Sequence, residues 1–378
     1  MKKIFYLGLI GLLLFEVANV YFIMPMPGSQ KMNSINLAYF LYKWRWVFRV
    51  FFAILFLIGL IGACWGRKWT LAIPILIVGA AIYMANFVMA ADHMFYQPKN
   101  VLMVNAAANK VDTNRLVIGI VNNGEAKAYP IRFLGYHHQV QDTIGGKPVI
   151  VTYCTVCRTG RVYEPVVDGK PEKFRLVGMD HFNAMFEDAT TNSWWRQVSG
   201  KAIAGKLTGE ALPEFFNTQT SLADWLQLHP NSLIMQPDPA FEKQYDTSLN
   251  YESGKSKSNL TGTDSLSWKE KSWVIGVKNG VDKKAYDWNT LKTERIINDK
   301  LGNNYIVLVL AKDGKSFFAF ERPDENKFSL QNDILLSNGH KYKIDGKGID
   351  TTSSLKALSA YQEFWHSWRT FNEGTAKY

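Results

Sequence analysis

Thiol and imidazole groups are scarce in this chain. Only three cysteines and seven histidines occur among 378 residues. Cys64 falls in a long apolar stretch, which leaves Cys154 and Cys157 as candidates for chemistry. A structural four-cysteine zinc site is therefore excluded. The sequence contains no Gly-x-Ser-x-Gly elbow, no His-Glu-x-x-His helix and no phosphate loop, so those enzyme templates find no support. Gly200, Gly205 and Gly209 are too far apart for a dinucleotide loop. The formal charge is +10, yet no arginine-rich groove concentrates it. Lys255, Lys257, Lys269, Lys271, Lys283 and Lys284 scatter along the chain. With no zinc finger, recognition helix or RNA-binding aromatic motif, nucleic acid is not an expected partner. A solvated face near anionic lipid accounts for the charge.

Apolar length is plentiful at the start. Residues 4–24 are interrupted only by Glu16 and Asn19, residues 47–65 contain Arg49, and residues 69–91 contain Asn86. Each run approaches the ~20 residues that cross a hydrocarbon core. A signal peptide is the alternative for the first run, but two further runs and no small-residue cleavage pattern favour retention. Trp44, Trp46, Trp65 and Trp69 lie at run ends, where indoles prefer the interface. Lys2, Lys3, Arg67 and Lys68 favour a cytoplasmic N-terminus, whereas Lys31, Lys43 and Arg45 argue the other way. The expectation is an integral protein of a prokaryotic inner membrane, with its large C-terminal region outside the cytoplasm. The Glu16 carboxyl either has a function or packs against a neighbouring span.

Beyond the third run the chain looks duplicated. Residues 115–165 align without a gap on residues 272–322, at an offset of 157. Val117-Ile118-Gly119 meets Val274-Ile275-Gly276, Lys127-Ala128-Tyr129 meets Lys284-Ala285-Tyr286, and Asp142 meets Asp299. Such spacing is the signature of a repeated scaffold. Cys154 falls opposite Ala311, Cys157 opposite Gly314 and His138 opposite Arg295. The scaffold does not need those thiols or that imidazole, so any chemistry belongs to the first copy. Short β-rich runs separated by Asn-Gly, Gly-Gly and Asp-Gly turns predict a mainly β or α+β region with short helices. Ser221 is placed to cap a helix over residues 221–228. Residues 250–263 read as a polar surface loop. The expected organisation is an anchor at 1–95, a first β-rich lobe at 96–270, and a second lobe with a docked tail at 271–378.

Cys154-Thr155-Val156-Cys157 follows a β-run and precedes Arg158-Thr159-Gly160-Arg161, a strand–turn–strand pattern. Two thiols at this spacing can close a disulfide, exchange disulfides or ligate a soft metal. Arg158 and Arg161 would stabilise a thiolate or bind an anion. His138, near Asp142, is the leading partner, since a returning strand would bring it to the cysteine turn. A Cys-Cys-His set suits copper or zinc. His181, in Met179-Asp180-His181-Phe182-Asn183, is the next ligand or acid–base candidate. Met179 and Met185 are expected in the core. His366 is remote in sequence, and the aromatics around it suggest that the tail docks on the fold.

Several of these segments resemble the prokaryotic domain-of-unknown-function 3179 family. They are Ala128-Tyr129-Pro130, His138-Gln139-Val140-Gln141-Asp142, Gly145-Gly146-Lys147-Pro148-Val149, Val151-Thr152-Tyr153-Cys154-Thr155-Val156-Cys157, residues 195–205 and Phe364-Trp365-His366-Ser367-Trp368. The family often has Pro-Leu between the cysteines and Phe where His366 stands. The resemblance implies an exported or surface-associated domain and supplies no reaction. Two function classes follow. One is a membrane-anchored extracytoplasmic protein with a dithiol or soft-metal site. The other is a non-catalytic binding or assembly module of a membrane complex with a structural disulfide. Lipid is the expected partner in both, with a membrane protein as a further one.

Overall fold

The computed structural model describes residues 1–63, 69–246, 250–350 and 352–378. Cys64, Trp65, Arg67 and Lys68 lie outside the described residues, as do the surroundings of the Trp69 side chain. The chain divides into two compact units. One comprises Met1–Tyr96, Glu172–Arg196 and Lys201–Ala211; the other comprises Gln97–Pro171, Gln197–Gly200 and Leu212–Tyr378.

Three helices of the first unit are long and apolar enough to cross a membrane, over Lys2–Tyr21, Arg45–Gly62 and Leu71–Val88. Glycine lets the first two approach closely. A Cβ on Gly8 would strike the Phe56 backbone, and one on Gly59 would strike Phe5. Three of the four polar interruptions noted in the sequence, Glu16, Arg49 and Asn86, meet one another. Arg49 Nε and Nη2 donate to the two Glu16 oxygens at 2.6 and 2.9 Å, and Asn86 Nδ2 donates to Glu16 Oε2 at 3.0 Å. A buried carboxylate is tolerated there because it is paired. The same unit holds a four-stranded antiparallel sheet. Its order is Ala202–Ala204, Trp194–Arg196, Asn183–Asp188, Phe174–Asp180. The loop after the first span binds this sheet: Met179 N donates to Ile23 O at 2.7 Å, and Phe182 N to Gln30 Oε1 at 3.0 Å. When all three spans cross, this loop and the sheet share one side of the bilayer, opposite Met1.

In the second unit, hairpins dominate. Leu116–Asn122 pairs with Glu125–Pro130, then a helix Ile131–His137 leads to the meander Gln139–Ile144, Lys147–Cys154, Thr159–Tyr163. The order β-β-α-β-β-β recurs from Trp273–Asn279 to Phe317–Glu321, with the helix Trp288–Glu294 in the middle. Ile118 faces Tyr129 in the first set, and Ile275 faces Tyr286 in the second. Asp142 accepts from Lys127 Nζ at 3.0 Å and Tyr129 Oη at 2.7 Å; Asp299 accepts from Lys284 Nζ at 2.7 Å and Tyr286 Oη at 2.8 Å. Gly119 and Gly276 each lie under an indole, where a Cβ would collide with Trp225 or Trp368. The strand Lys356–Phe364 enters the second set between Phe317–Glu321 and Trp273–Asn279, in a seven-stranded sheet. The region after the spans is thus a mixed α/β arrangement of several sheets.

Candidate functional site

Cys154 ends its strand and Cys157 lies in the turn before Thr159–Tyr163. Both stand as thiols, wholly buried. A hydrogen bond joins Cys157 to Cys154. Burial pushes the Cys157 thiol well above its ordinary range; Cys154 and Glu363 push the same way, while a hydrogen bond with Ser367 opposes them. The closing segment of the chain makes this environment. Phe364 N donates to Cys157 O at 3.0 Å, and Ser367 Oγ donates to Glu363 Oε2 at 3.0 Å. Glu363 pairs with Arg161, and neither side chain is exposed. His366 Nε2 lies 3.2 Å from Val156 O and 3.3 Å from Lys271 Nζ. Lys271 Nζ donates to Val156 O at 2.9 Å and Leu260 O at 2.6 Å. Burial, then the Lys271 ammonium, lower the His366 pKa to about 3. Burial also lowers that of Lys271, although the two cysteines act to raise it.

His138 takes a different place from the extended segment read in the sequence. It caps the helix Ile131–His137 in the left-handed conformation, with φ 62°. Its carbonyl accepts from Tyr153 N at 2.9 Å, so its backbone braces the cysteine strand. Its buried ring bonds the Gly135 carbonyl, and burial lowers its pKa to about 4. His181 belongs to the other compact unit, in the two-residue turn between Phe174–Asp180 and Asn183–Asp188. Its Nδ1 lies 2.7 Å from Asp180 Oδ1, and Arg196 Nε donates to Asp180 Oδ2 at 2.8 Å. Met179 and Met185 are buried in that unit. Among the described residues, no group of three or more His, Cys, Asp or Glu side chains is arranged to hold a metal ion.

The guanidinium groups near the cysteines are committed elsewhere. Arg161 serves Glu363 and stacks on Tyr361, 3.5 Å from its centroid. Arg158 takes the left-handed conformation, with φ 57°. It stacks 3.6 Å from the Trp273 centroid, donates from Nε to Gln362 Oε1 at 3.0 Å, and reaches the carbonyls of Tyr251 and Glu252. There it joins the wall of a cavity of about 390 Å³, with Trp273, Trp288, Arg115, Glu252 and Lys315. Glu252 Oε2 accepts from Leu116 N at 3.1 Å. Its Oε1 is buried with no hydrogen-bond partner among the described residues. Burial raises the Glu252 carboxyl pKa, against the pull of the Leu116 N–H, Arg115, Arg158 and Lys315.

The region carrying this site, residues 96–375, matches DUF3179, protein of unknown function. The chain belongs to the DUF3179 family. With its three apolar helices it is a membrane-anchored DUF3179 member. No curated protein and no solved structure matches the chain. The DUF3179 region contains both the cysteine turn and the Phe364–Trp368 segment that encloses it. Lys271, Glu252, Trp273 and Glu363 were not singled out from sequence. Each stands more than ninety residues from the cysteines, and of the four only Trp273 falls within the alignment of residues 115–165 on 272–322.

Proposed function

We propose that this DUF3179 protein is an extracytoplasmic binding module, held at the membrane by its three spans. Its ligand is a small zwitterion such as a free amino acid. One observation carries the reading: Glu252 lines the cavity, and its buried Oε1 has no hydrogen-bond partner among the described residues. An unmet buried acceptor calls for a donor, and a ligand ammonium supplies one. Arg115 and Lys315 on the same wall complement a carboxylate, and the Trp273 and Trp288 rings complement an apolar side chain. The two β-β-α-β-β-β sets, in the expected lobes 96–270 and 271–378, are read as copies of one unit. Their identical offset of 157 residues and their matching Lys–Tyr–Asp clusters support this. The cysteine turn is then a buried support that aims Arg158.

A second reading keeps a dithiol or soft-metal centre at Cys154 and Cys157. The Cys157–Cys154 hydrogen bond beside Lys271 favours it. Two thiols would lose two electrons and two protons to a protein disulfide, closing one S–S bond and reducing the other. Copper or zinc, with His138 as a further candidate ligand, is checked by elemental analysis of protein purified without chelator. Thermal unfolding of full-length protein with a panel of free amino acids separates the two readings. The binding module raises the melting temperature with at least one of them, in wild type and in Cys154→Ser/Cys157→Ser alike. At a hundredfold excess over Kd the gain is about 2.7 kcal/mol. No response from any amino acid, or a response lost with the cysteines, refutes it.

A further inference from the structure

The first loop carries Lys31, Lys43 and Arg45, basic residues on what the proposed topology makes the non-cytoplasmic side. The positive-inside tendency disfavours them there. The first compact unit offers a use for two of them. A cavity of about 560 Å³ is lined by Tyr39, Tyr42, Lys43, Arg45, Trp46 and Lys206, together with short polar residues of the sheet loops. We propose that this cavity seats the phosphate of an anionic bilayer phospholipid.

Position supports lipid over a soluble anion. Arg45 is the first residue of the second span, and Trp46 follows it 64% exposed. Exposed tryptophan at a span end sits at headgroup depth. Charge supports an anion: three cations and no carboxylate line the cavity. The Arg45 guanidinium is held over the Tyr42 ring, 4.0 Å from its centroid, and donates to the Tyr42 carbonyl at 2.7 Å rather than to an acid. The carboxylates of the adjoining strand are turned inward and already engaged. Glu187 accepts from Trp194 Nε1 at 3.0 Å and from Arg175, and Asp188 from Trp195 Nε1 at 2.9 Å and Ser193 N at 3.0 Å. Tyr39 donates to Asn192 O at 3.1 Å and packs against Trp194, which holds the wall to the sheet. Lys43, Arg45 and Lys206 all line the cavity.

Full-length protein in nanodiscs of phosphatidylcholine, titrated with phosphatidylglycerol, tests the assignment by thermal unfolding. Wild type gains stability as phosphatidylglycerol is added. Each cation removed in Lys43→Gln, Arg45→Gln and Lys206→Gln weakens the apparent lipid affinity about fivefold. The melting temperature in phosphatidylcholine alone shows whether a variant is folded. Should the Lys43→Gln or Arg45→Gln variant not fold, Lys206→Glu, at an exposed loop position, replaces it and abolishes most of the response. An unchanged phosphatidylglycerol response in a folded variant overturns the proposal. Equal stabilisation by inorganic phosphate in phosphatidylcholine discs also overturns it, by making the site one for a soluble anion.

Discussion

Replacing His366 with phenylalanine isolates the most sharply perturbed imidazole near the cysteine turn. Burial, then the Lys271 ammonium, lowers its pKa from 6.5 to about 3. The folded chain therefore refuses a proton that the unfolded chain accepts. Its contribution is fully present above the unfolded value and is lost as pH falls through 6.5 towards the folded value. From pH 7 to pH 5 one such histidine costs the fold about 2 kcal/mol. His138, lowered to about 4, adds a loss of similar size and the same sign. Asp224 acts oppositely, because burial and Asp313 push its carboxyl up to about 6. Comparing wild type with His366→Phe cancels both backgrounds. Phenylalanine retains the ring against Phe364, now at 6.0 Å between centroids. Tryptophan-fluorescence melts of the full-length protein in detergent, from pH 7 to pH 5, are the assay. The variant should lose about 2 kcal/mol less than wild type, a difference of several degrees. Identical pH slopes for the two proteins would falsify the enclosure of a neutral His366.

Three further outcomes follow from the packing. Cys154 and Cys157 should react with iodoacetamide at least about a hundredfold slower in the folded protein than in denaturant, because their sulfurs are enclosed and the Cys157 pKa is raised; labelling at the rate of an exposed thiol, read by mass spectrometry, contradicts this. Arg49→Ala leaves Glu16 buried with Asn86 as its remaining partner and should cost about 3–5 kcal/mol. Glu16→Gln with Arg49→Gln should restore much of that loss in detergent unfolding, and no recovery would mean the charges act separately. Gly276→Ala drives a methyl group into the Trp368 ring and should destabilise by about 1–3 kcal/mol. A wild-type melt for that variant would show that the indole does not cover the strand.

Local chemistry made much of this architecture legible. The Asp168-Gly169 pair adopts positive φ in its hairpin, at 49° and 75°, as its residue types require. Ser221 Oγ accepts from Asp224 N at 3.2 Å and opens the helix Leu222–Leu228. The cysteine turn lies between two strands, where the apolar run and the Arg-Thr-Gly-Arg segment placed it. Three apolar runs became three membrane-length helices. What stayed hidden depended on distant pairings. His138 closes a helix in a conformation usually taken by glycine or asparagine, so no local signal marked it. The polar stretch 250–263 read as a surface loop, yet Tyr251 joins the core and Glu252 reaches a cavity wall. Glu363 and His366 reach the cysteine turn because Lys356–Phe364 inserts beside Trp273–Asn279, a pairing that periodicity cannot announce. Neither Glu16, Arg49 nor Asn86 signals its partners, because three separate spans must pack before they meet.

The binding reading rests on a single oxygen atom, and calorimetry on Glu252→Gln addresses it directly. Glutamine keeps an oxygen for the Leu116 N–H and removes the charge that would meet an ammonium. Full-length wild type and variant are titrated with the amino acid that gives the largest thermal shift, and with its N-acetyl derivative. The account expects measurable binding to wild type, about a tenfold or greater loss in the folded variant, and a comparable loss on acetylation. Equal affinity of wild type and Glu252→Gln, or tight binding of the N-acetyl derivative, would contradict it.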